Sequence, residues 1–222
     1  MMNLSTDTIA LLKNFATINQ NILIKPGKKL NTISTMKNIL AQAEIKEDFS
    51  EQFAIYDLPE FLRTVDLFET PVLKFNGTSS VALSGKDGRS TSKYTFADES
   101  VIVAPTKTIT MPDTEVAFTM KKADFARLQK GVVTLNLPDV GVIGDGKTMR
   151  LIAEDRKNKA SNKFDIELGT STKKFKAYFK AENFKMLEDD YDVAISKQKI
   201  SHFVNRTRPV QYWIALEPES EF

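Results

Sequence analysis

Alternation of apolar and polar positions dominates the chain and predicts many short β-strands. Such alternation is typical of strands that have one buried and one solvated face. Residue pairs that tolerate a positive φ, such as Asn76-Gly77 and Asp145-Gly146, separate the runs and indicate hairpin turns. The predicted strands are Leu30–Thr35, Phe49–Ile55, Ser92–Phe96, Thr114–Thr119, Val132–Leu137, Phe164–Leu168, Lys174–Phe179 and Val210–Leu216.

Four segments follow the 3.6-residue period of an amphipathic helix instead. Ser5 or Thr6 is a plausible cap for the first, Asp57 for the second, and Gly131 is a stop signal for the third. The segments are Thr6–Ile18, Leu58–Glu69, about Lys122–Lys130 and about Ala181–Glu188. Their inward residues are Ile9, Leu12 and Ala16, then Leu58, Phe61, Leu62, Val65 and Phe68, then Phe125 and Leu128, then Phe184 and Leu187.

The order of helix, strands, helix and strands occurs once in each half of the 222 residues. The junctions at residues 54–61 and 177–184 are alike, although a coincidence of common residue types would also explain so slight an identity. We therefore predict an α+β fold with two similar domains, residues 1–100 and 114–222. The extended, nearly uncharged segment 101–113 contains two prolines and is predicted to connect them.

Composition limits the possible chemistry. The chain has no cysteine and one histidine, His202, which argues against cysteine-based catalysis and a multi-histidine metal site. We interpret His202 as a structural or exposed residue and the acidic run 188–192 as a solvated loop. The chain lacks a signal segment and an apolar run of about 18 residues, so we expect a cytoplasmic protein without a membrane partner.

Net charge is only +2, so nucleic-acid binding by bulk charge is not indicated. The outward faces of the four predicted helices nevertheless all carry cations, which suits sequence-independent contact with a DNA backbone. Any solvated helix face also carries such residues, so both interpretations stay open. The candidate DNA contacts are Lys13, Arg63, Lys122, Arg127, Lys130 and Lys185.

Residues 141–148 match the G-x-x-x-x-G-K-[ST] phosphate-loop pattern. A nucleotide-binding enzyme would use the side chains of Lys147 and Thr148, and its loop would lead into a helix. Residues 149–153 have the pattern of a strand, and Asp145-Gly146 is a hairpin turn. The hairpin interpretation is therefore preferred, and neither a catalytic residue nor a cofactor is predicted.

Short strings in both halves match one known family. The longest is Asp7-Thr8 followed by residues 10–19. Shorter ones are Ala54-Ile55-Tyr56-Asp57-Leu58 with Phe61-Leu62, Arg89-Ser90-Thr91, Val103-Ala104-Pro105, and Ala215-Leu216-Glu217 with the final Phe222. On these strings the chain resembles the sliding clamps, the DNA polymerase processivity factors of large tailed bacteriophages, which are similar in fold to proliferating cell nuclear antigen. Residues 132–181 contribute almost no matching string.

The resemblance implies a ring of three subunits, each with two similar domains. Two helices per domain, twelve in all, line the hole and antiparallel sheets form the outside. It implies a non-catalytic clamp on double-stranded DNA, loaded by a separate ATP-driven loader and tethering the phage DNA polymerase in the host cytoplasm. It also suggests contact with late-transcription machinery. The third alternative is a β-rich phage structural protein that has no DNA role.

Ring closure needs a head-to-tail seam, which we place between strand Ser92–Phe96 of one subunit and strand Lys174–Phe179 of the next. In the family, polymerase and loader tails dock in an apolar pocket beside the connector. Val103, Ile109 and Met111 are the candidate pocket residues, because an exposed apolar connector is otherwise a liability. The alternative is that these side chains only pack the connector down.

Overall fold

The computed structural model describes residues 1–107 and 109–222, which form two compact units. The first unit is Met1–Thr108 and the second is Ile109–Phe222. The division falls inside the predicted connector 101–113, whose own bounds stay a prediction. Thr108 belongs to that predicted connector and lies outside the described residues.

The first unit combines short antiparallel sheets with two α-helices among its described residues. One sheet has the strand order β1-β6-β7-β8, and two further pairings join β2 to β5 and β3 to β4. Its elements are β1 Met2–Asn3, α1 Thr6–Ile18, β2 Ile22–Ile24, β3 Gly27–Ile33, β4 Ile39–Phe49, β5 Phe53–Ile55, α2 Leu58–Val65, β6 Val72–Asn76, β7 Ser80–Ser84, β8 Thr91–Thr95 and a 3₁₀ turn at Glu99–Val101.

The second unit has the strand orders β12-β11-β10-β13 and β9-β14-β15-β16, all antiparallel. Its elements are β9 Val116–Met120, α3 Lys122–Leu135, β10 Asp139–Asp145, β11 Thr148–Glu154, β12 Phe164–Thr170, β13 Lys174–Lys180, a 3₁₀ turn at Ala181–Asn183, β14 Tyr191–Ser196, β15 Ile200–Asn205 and β16 Val210–Ala215.

The two units repeat one element order: a strand, a helix, four strands, a helical segment and three strands. The strand pairings correspond as well. The pair β2–β5 of the first unit is equivalent to β10–β13 of the second, and β3–β4 is equivalent to β11–β12. The prediction of two similar α+β domains is confirmed. The two segments predicted to be alike, residues 54–61 and 177–184, occupy equivalent positions in the two units. In each unit a strand there leads into a helical segment.

Helix α1 has the predicted bounds because its cap is local. The Ser5 side chain accepts a hydrogen bond from the backbone N–H of Thr8, which satisfies an otherwise unpaired group of the first turn. The predicted inward face was only partly right, because Leu12 is buried whereas Ile9 and Ala16 are half-buried. The buried residues are Thr8, Leu11, Leu12, Phe15 and Ile18.

Helix α2 begins as predicted and ends early. The Asp57 carboxylate accepts a hydrogen bond from the backbone N–H of Glu60 at 2.7 Å and caps the helix. The helix stops at Val65 rather than Glu69, so Phe68 lies beyond it and is half-buried. Residues Leu58, Phe61, Leu62 and Val65 are buried as predicted.

Helix α3 corrects two predictions. It runs to Leu135, so Gly131 does not stop it and the predicted strand Val132–Leu137 is wrong. Gly131 is buried because the ring of Phe164 lies against the helix there, and a Cβ added at Gly131 would come within 2.7 Å of that ring. The helix ends instead at Asn136, whose left-handed φ of 51° closes the last turn.

The predicted fourth helix, Ala181–Glu188, is also wrong. It is a 3₁₀ turn at Ala181–Asn183 followed by irregular chain. Phe184 leaves the helical region with ψ of 54° and packs edge-on against Phe179 and Phe203. Leu187 is half-buried rather than fully inward. The second unit therefore has one α-helix among its described residues, and the expectation of two helices in each domain is corrected.

Candidate nucleic-acid interface

The first unit presents two of the predicted cations on its helices. Lys13 of α1 is exposed, and its Nζ lies 2.8 Å from Oδ2 of Asp66, the residue that follows α2. This ion pair links the two helices and partly neutralises the charge of Lys13. Arg63 of α2 is exposed and has no ion pair with any residue that the structure describes. Arg63 is therefore the freer cation of the two.

Three further predicted cations lie on α3, and all are exposed. Lys122 Nζ is 3.8 Å from Glu188 Oε1, and Arg127 Nη1 is 3.9 Å from Asp124 Oδ1. Lys130 pairs with no acidic residue within 1–107 and 109–222. Exposed pairs of this length are weak, so this helix face keeps a net positive charge.

The side chain of Asp190 fixes the start of α3. Its Oδ1 accepts the backbone N–H of Lys122 at 2.7 Å, and this hydrogen bond holds the pKa of Asp190 below its ordinary value. Neighbouring Asp189 accepts the hydroxyl hydrogen of Thr207. These carboxylates have structural partners, and the described residues contain no cluster of three or more His, Cys, Asp or Glu that could hold a metal ion.

The sixth predicted cation, Lys185, does not lie on a helix. It is exposed in the irregular chain after the 3₁₀ turn, between the buried side chains of Phe184 and Met186. The Gln129 side chain donates a hydrogen bond to the carbonyl of Phe184 at 3.4 Å, which ties this chain to α3. Five of the six cations thus lie on helices, and Lys185 lies on a segment attached to one.

The phosphate-loop pattern is a β-hairpin. Strand β10 leads through the turn into β11, with Gly146 at a φ of 92°. Asp145 Oδ1 accepts the backbone N–H groups of Thr148 and Lys147 at 2.7 and 2.8 Å, and these bonds lower the pKa of Asp145. A phosphate loop needs free backbone N–H groups for its ligand, so this turn is not one.

His202 has a structural environment. Its ring stacks on Trp213 with centroids 4.5 Å apart, and Nε2 lies 2.8 Å from Gln211 Oε1. Burial lowers the pKa of His202, although its contact with Gln211 opposes this effect. The interpretation of this residue as structural agrees with these contacts.

The connector candidates Val103, Ile109 and Met111 are all half-buried. Val103 is also held through its backbone: its N–H donates to Asn21 Oδ1 at 3.0 Å, and its carbonyl accepts from Asn19 Nδ2 at 3.2 Å. Val101 just before it is 52% exposed. The docking role of the three candidates stays a prediction.

Comparison with known proteins gives family matches in both units. Residues 5–104 match the family model of the DNA polymerase processivity factor, and residues 117–218 match that of the gp45 sliding clamp, C-terminal part. A sliding clamp of Vibrio phage KVP40 is 31% identical over 97% of this chain and 99% of its own length. This chain belongs to the sliding-clamp family.

Other relatives agree with this membership. A sliding clamp of Enterobacteria phage T4 is 29% identical over 99% of this chain and 98% of its own. In the PCNA2–PCNA3 complex from Sulfolobus tokodaii, one chain superposes with a TM-score of 0.68 over 95% of this chain and 96% of that one. At 13% identity that likeness shows the fold alone.

Family membership decides between the alternatives raised by the sequence. Sliding clamps are non-catalytic processivity factors of bacteriophage DNA replication, so the nucleotide-binding enzyme and the structural protein without a DNA role are not supported. The hairpin at residues 141–148 agrees with this result. Among the helices of the described residues, none is long and apolar enough to span a membrane.

Proposed function

We propose that three copies of this chain form a ring around double-stranded DNA and tether the phage DNA polymerase to it. The observation that carries the proposal is similarity to sliding clamps along 97% of the chain, together with two units of the same build. A head-to-tail contact repeated by rotation closes a ring. A topological link explains how a net charge of only +2 is sufficient.

The proposed DNA contacts are the exposed cations on the helices, with Lys185 beside them. Arg63 and Lys130 are the strongest candidates, because neither is ion-paired within the described part of the chain. Lys13, Lys122 and Arg127 each share their charge with a carboxylate. Contacts of this kind, partly through water, are loose and independent of sequence, which suits sliding.

The proposed seam differs from the predicted one in its second strand. The outer edge of β13 is covered by the C-terminal segment, since Lys176 and Glu221 exchange backbone hydrogen bonds of 2.8 and 2.9 Å. β8 and β12 instead end their sheets. We assign the seam to β8 of one copy and β12 of the next.

Charge and hydrophobicity agree with that seam. β8 exposes Lys93, whereas β12 exposes Asp165 and Glu167, which share the single cation Arg150 of β11 at 2.6 and 3.4 Å and so keep one net negative charge. On the other face of β12, Ile166 and Leu168 are only half-buried in the isolated chain. An uncovered apolar edge strand favours pairing with another chain, so a second copy is the proposed partner.

The half-buried connector residues Val103, Ile109 and Met111 are proposed to receive the polymerase tail. Replacing Ile109 with Asp should weaken binding of a polymerase-tail peptide about tenfold, since a charge would be desolvated on binding. Peptide titration by fluorescence anisotropy measures the effect, and circular dichroism checks the fold. Unchanged affinity in a folded variant would remove Ile109 from the site. The clamp loader, late-transcription machinery and host cytoplasm are proposed from the family resemblance alone.

Retention on DNA tests the ring itself. After loading by a cognate loader, the protein should remain on nicked circular DNA and run off the same DNA once it is linearised. Its native mass should be three times that of the 25.0 kDa chain. Equal loss from circular and linear DNA would contradict a topological link.

A further inference from the structure

Two exposed apolar side chains lie on the helices that pack under the proposed seam strands. Tyr56, directly before α2, is 60% exposed, and Val133, near the end of α3, is 80% exposed. Each leaves apolar area in contact with water in the isolated chain. Burial of that area by a partner is favourable, so the position of each residue relative to its edge strand decides which partner can reach it.

The start of α2 is attached to β8, the seam strand of the first unit. The hydroxyl of Tyr94 donates a hydrogen bond to the carbonyl of Asp57 at 3.1 Å. The ring of Tyr94 also packs edge-on against Phe61 of α2, with centroids 5.2 Å apart. Tyr56 directly precedes Asp57, so it is held close to Tyr94, near the end of β8.

The end of α3 is attached to β12, the seam strand of the second unit. Phe164, the first residue of β12, lies with its ring against Gly131 of α3. Val133 follows Gly131 by two residues and comes one turn after Lys130. Val133 is therefore close to the start of β12.

The direction of the strands decides whether these two positions meet. The pairings between named strands within each unit are antiparallel, and an antiparallel seam brings the end of β8 beside the start of β12. With Lys93 opposite Asp165, the next residue, Tyr94, is opposite Phe164. With Lys93 opposite Glu167, Tyr94 moves two positions further along β12. Both registers place the start of α2 beside the end of α3.

We propose that Tyr56 of one copy packs on Val133 of the next and closes the seam on its helix side. The inference rests on the proposed ring, and its partner is a second copy of this chain. Helices that pack side by side have axes about 8–10 Å apart, a distance that a tyrosine side chain spans. The contact also joins the cationic face of α3, which includes Lys130, to that of α2, which includes Arg63. The basic surface offered to DNA is thereby continuous from one copy to the next.

Truncation of Tyr56 tests the contribution of the contact to the ring. Tyr56→Ser should raise the trimer dissociation constant about tenfold, because apolar area that the contact buries is lost. Sedimentation over a range of concentrations measures this constant. Leu67→Ser is the matched control, since Leu67 is an apolar residue beyond the other end of α2 and is 71% exposed. An equal effect of both substitutions, or none from Tyr56→Ser, would contradict the contact.

Cysteine pairs test the contact directly, because the chain has no cysteine of its own. Oxidised Y56C/V133C should give covalently linked species of two and three chains on a non-reducing gel, and reductant should return them to single chains. L67C/V133C is the matched control and should stay as single chains. Residue 67 lies about 15 Å along α2 from residue 56, whereas a disulfide needs Cα atoms within about 7 Å of each other.

Three results of the cysteine experiment would overturn the proposal. The first is a Y56C/V133C protein that keeps the mass of three chains but forms no disulfide between them. The second is a disulfide within a single chain, and the third is equal cross-linking of L67C/V133C. Native mass and retention on circular DNA are measured on the same variant under reducing conditions. A three-chain ring without the disulfide would refute this contact alone, whereas a parent protein without three-chain mass would refute the ring itself.

Discussion

Gly131 shows how a single residue depends on packing from far along the chain. It lies within α3, where a Cβ would come within 2.7 Å of the Phe164 ring. Replacing it with Ala raises intrinsic helix propensity by up to about 1 kcal/mol. The added methyl group also overpacks the contact, which typically costs about 1–3 kcal/mol.

We therefore expect Gly131→Ala to lower the free energy of unfolding by about 1–2 kcal/mol, since overpacking outweighs the propensity gain. Urea denaturation followed by circular dichroism measures this difference. Lys130→Ala is the matched control, because Lys130 is on the same helix and exposed. An unchanged or higher stability of the Gly131 variant would show that Phe164 moves aside freely.

Glu47 is a buried carboxylate that holds the start of α1. Burial favours the neutral acid, but hydrogen bonds from Thr8 and Ser5 outweigh it and lower the pKa of Glu47. A lowered pKa in the folded state stabilises the protein above the unfolded pKa of about 4.3. That stabilisation is lost as the pH falls through the folded pKa.

Replacing Glu47 with Gln should therefore cost about 1–3 kcal/mol at pH 7. The difference from the parent should shrink as the pH falls below about 4, where the parent carboxylate also becomes neutral. Denaturation curves at pH 7, 5 and 3 test this, with Asp48→Asn, the exposed next residue, as control. A difference that is constant with pH would exclude the carboxylate charge as the cause.

At the scale of elements, α3 carries the longest exposed basic face. Arg127 and Lys130 lie one turn apart on it. We expect R127E/K130E to shorten polymerase run length severalfold while leaving the oligomer intact, because the surface facing the phosphates would become repulsive. Primer extension under conditions in which each template is extended in only one polymerase binding event measures run length.

A matched control makes the same change in net charge at another position in the same unit. Lys157 and Lys159 are exposed in the loop between β11 and β12, so K157E/K159E has an equal effect on net charge. Run length should stay near that of the parent in this control. Equal shortening in both double variants would indicate a general charge effect rather than a role of α3.

Element boundaries were predictable where the deciding contacts are local. The bounds of α1 follow from the Ser5 cap and the start of α2 from the Asp57 cap, both within three residues of the groups they bind. Residues 181–188 have a helical period, yet Phe184 turns aside to pack against Phe179 and Phe203. Those rings belong to strands outside the segment, so the hydrophobic period within residues 181–188 cannot predict the contact with them.

At the scale of the whole molecule, the seam should depend on the edge of β8. Lys93→Glu would place a negative charge opposite Asp165 and Glu167 of β12, which Arg150 neutralises only in part. We expect the trimer dissociation constant to rise about tenfold, equivalent to about 1.4 kcal/mol, as measured by sedimentation over a range of concentrations. Lys74→Glu, an exposed change on β6, is the control. A trimer unaffected by Lys93→Glu would contradict the assigned seam.

The sequence alone determined the two similar α+β halves, the capped start of each of the first two helices, and the cations of the outward helix faces. These features are predictable because period, caps and turns act over a few residues. Tertiary structure decided the length of α3, the loss of the fourth helix, the ion pairs that attenuate Lys13 and Lys122, and the covered edge of β13. Each of these depends on a partner that is distant in sequence, such as Phe164 for Gly131 or Glu221 for Lys176, and only folding brings such partners together.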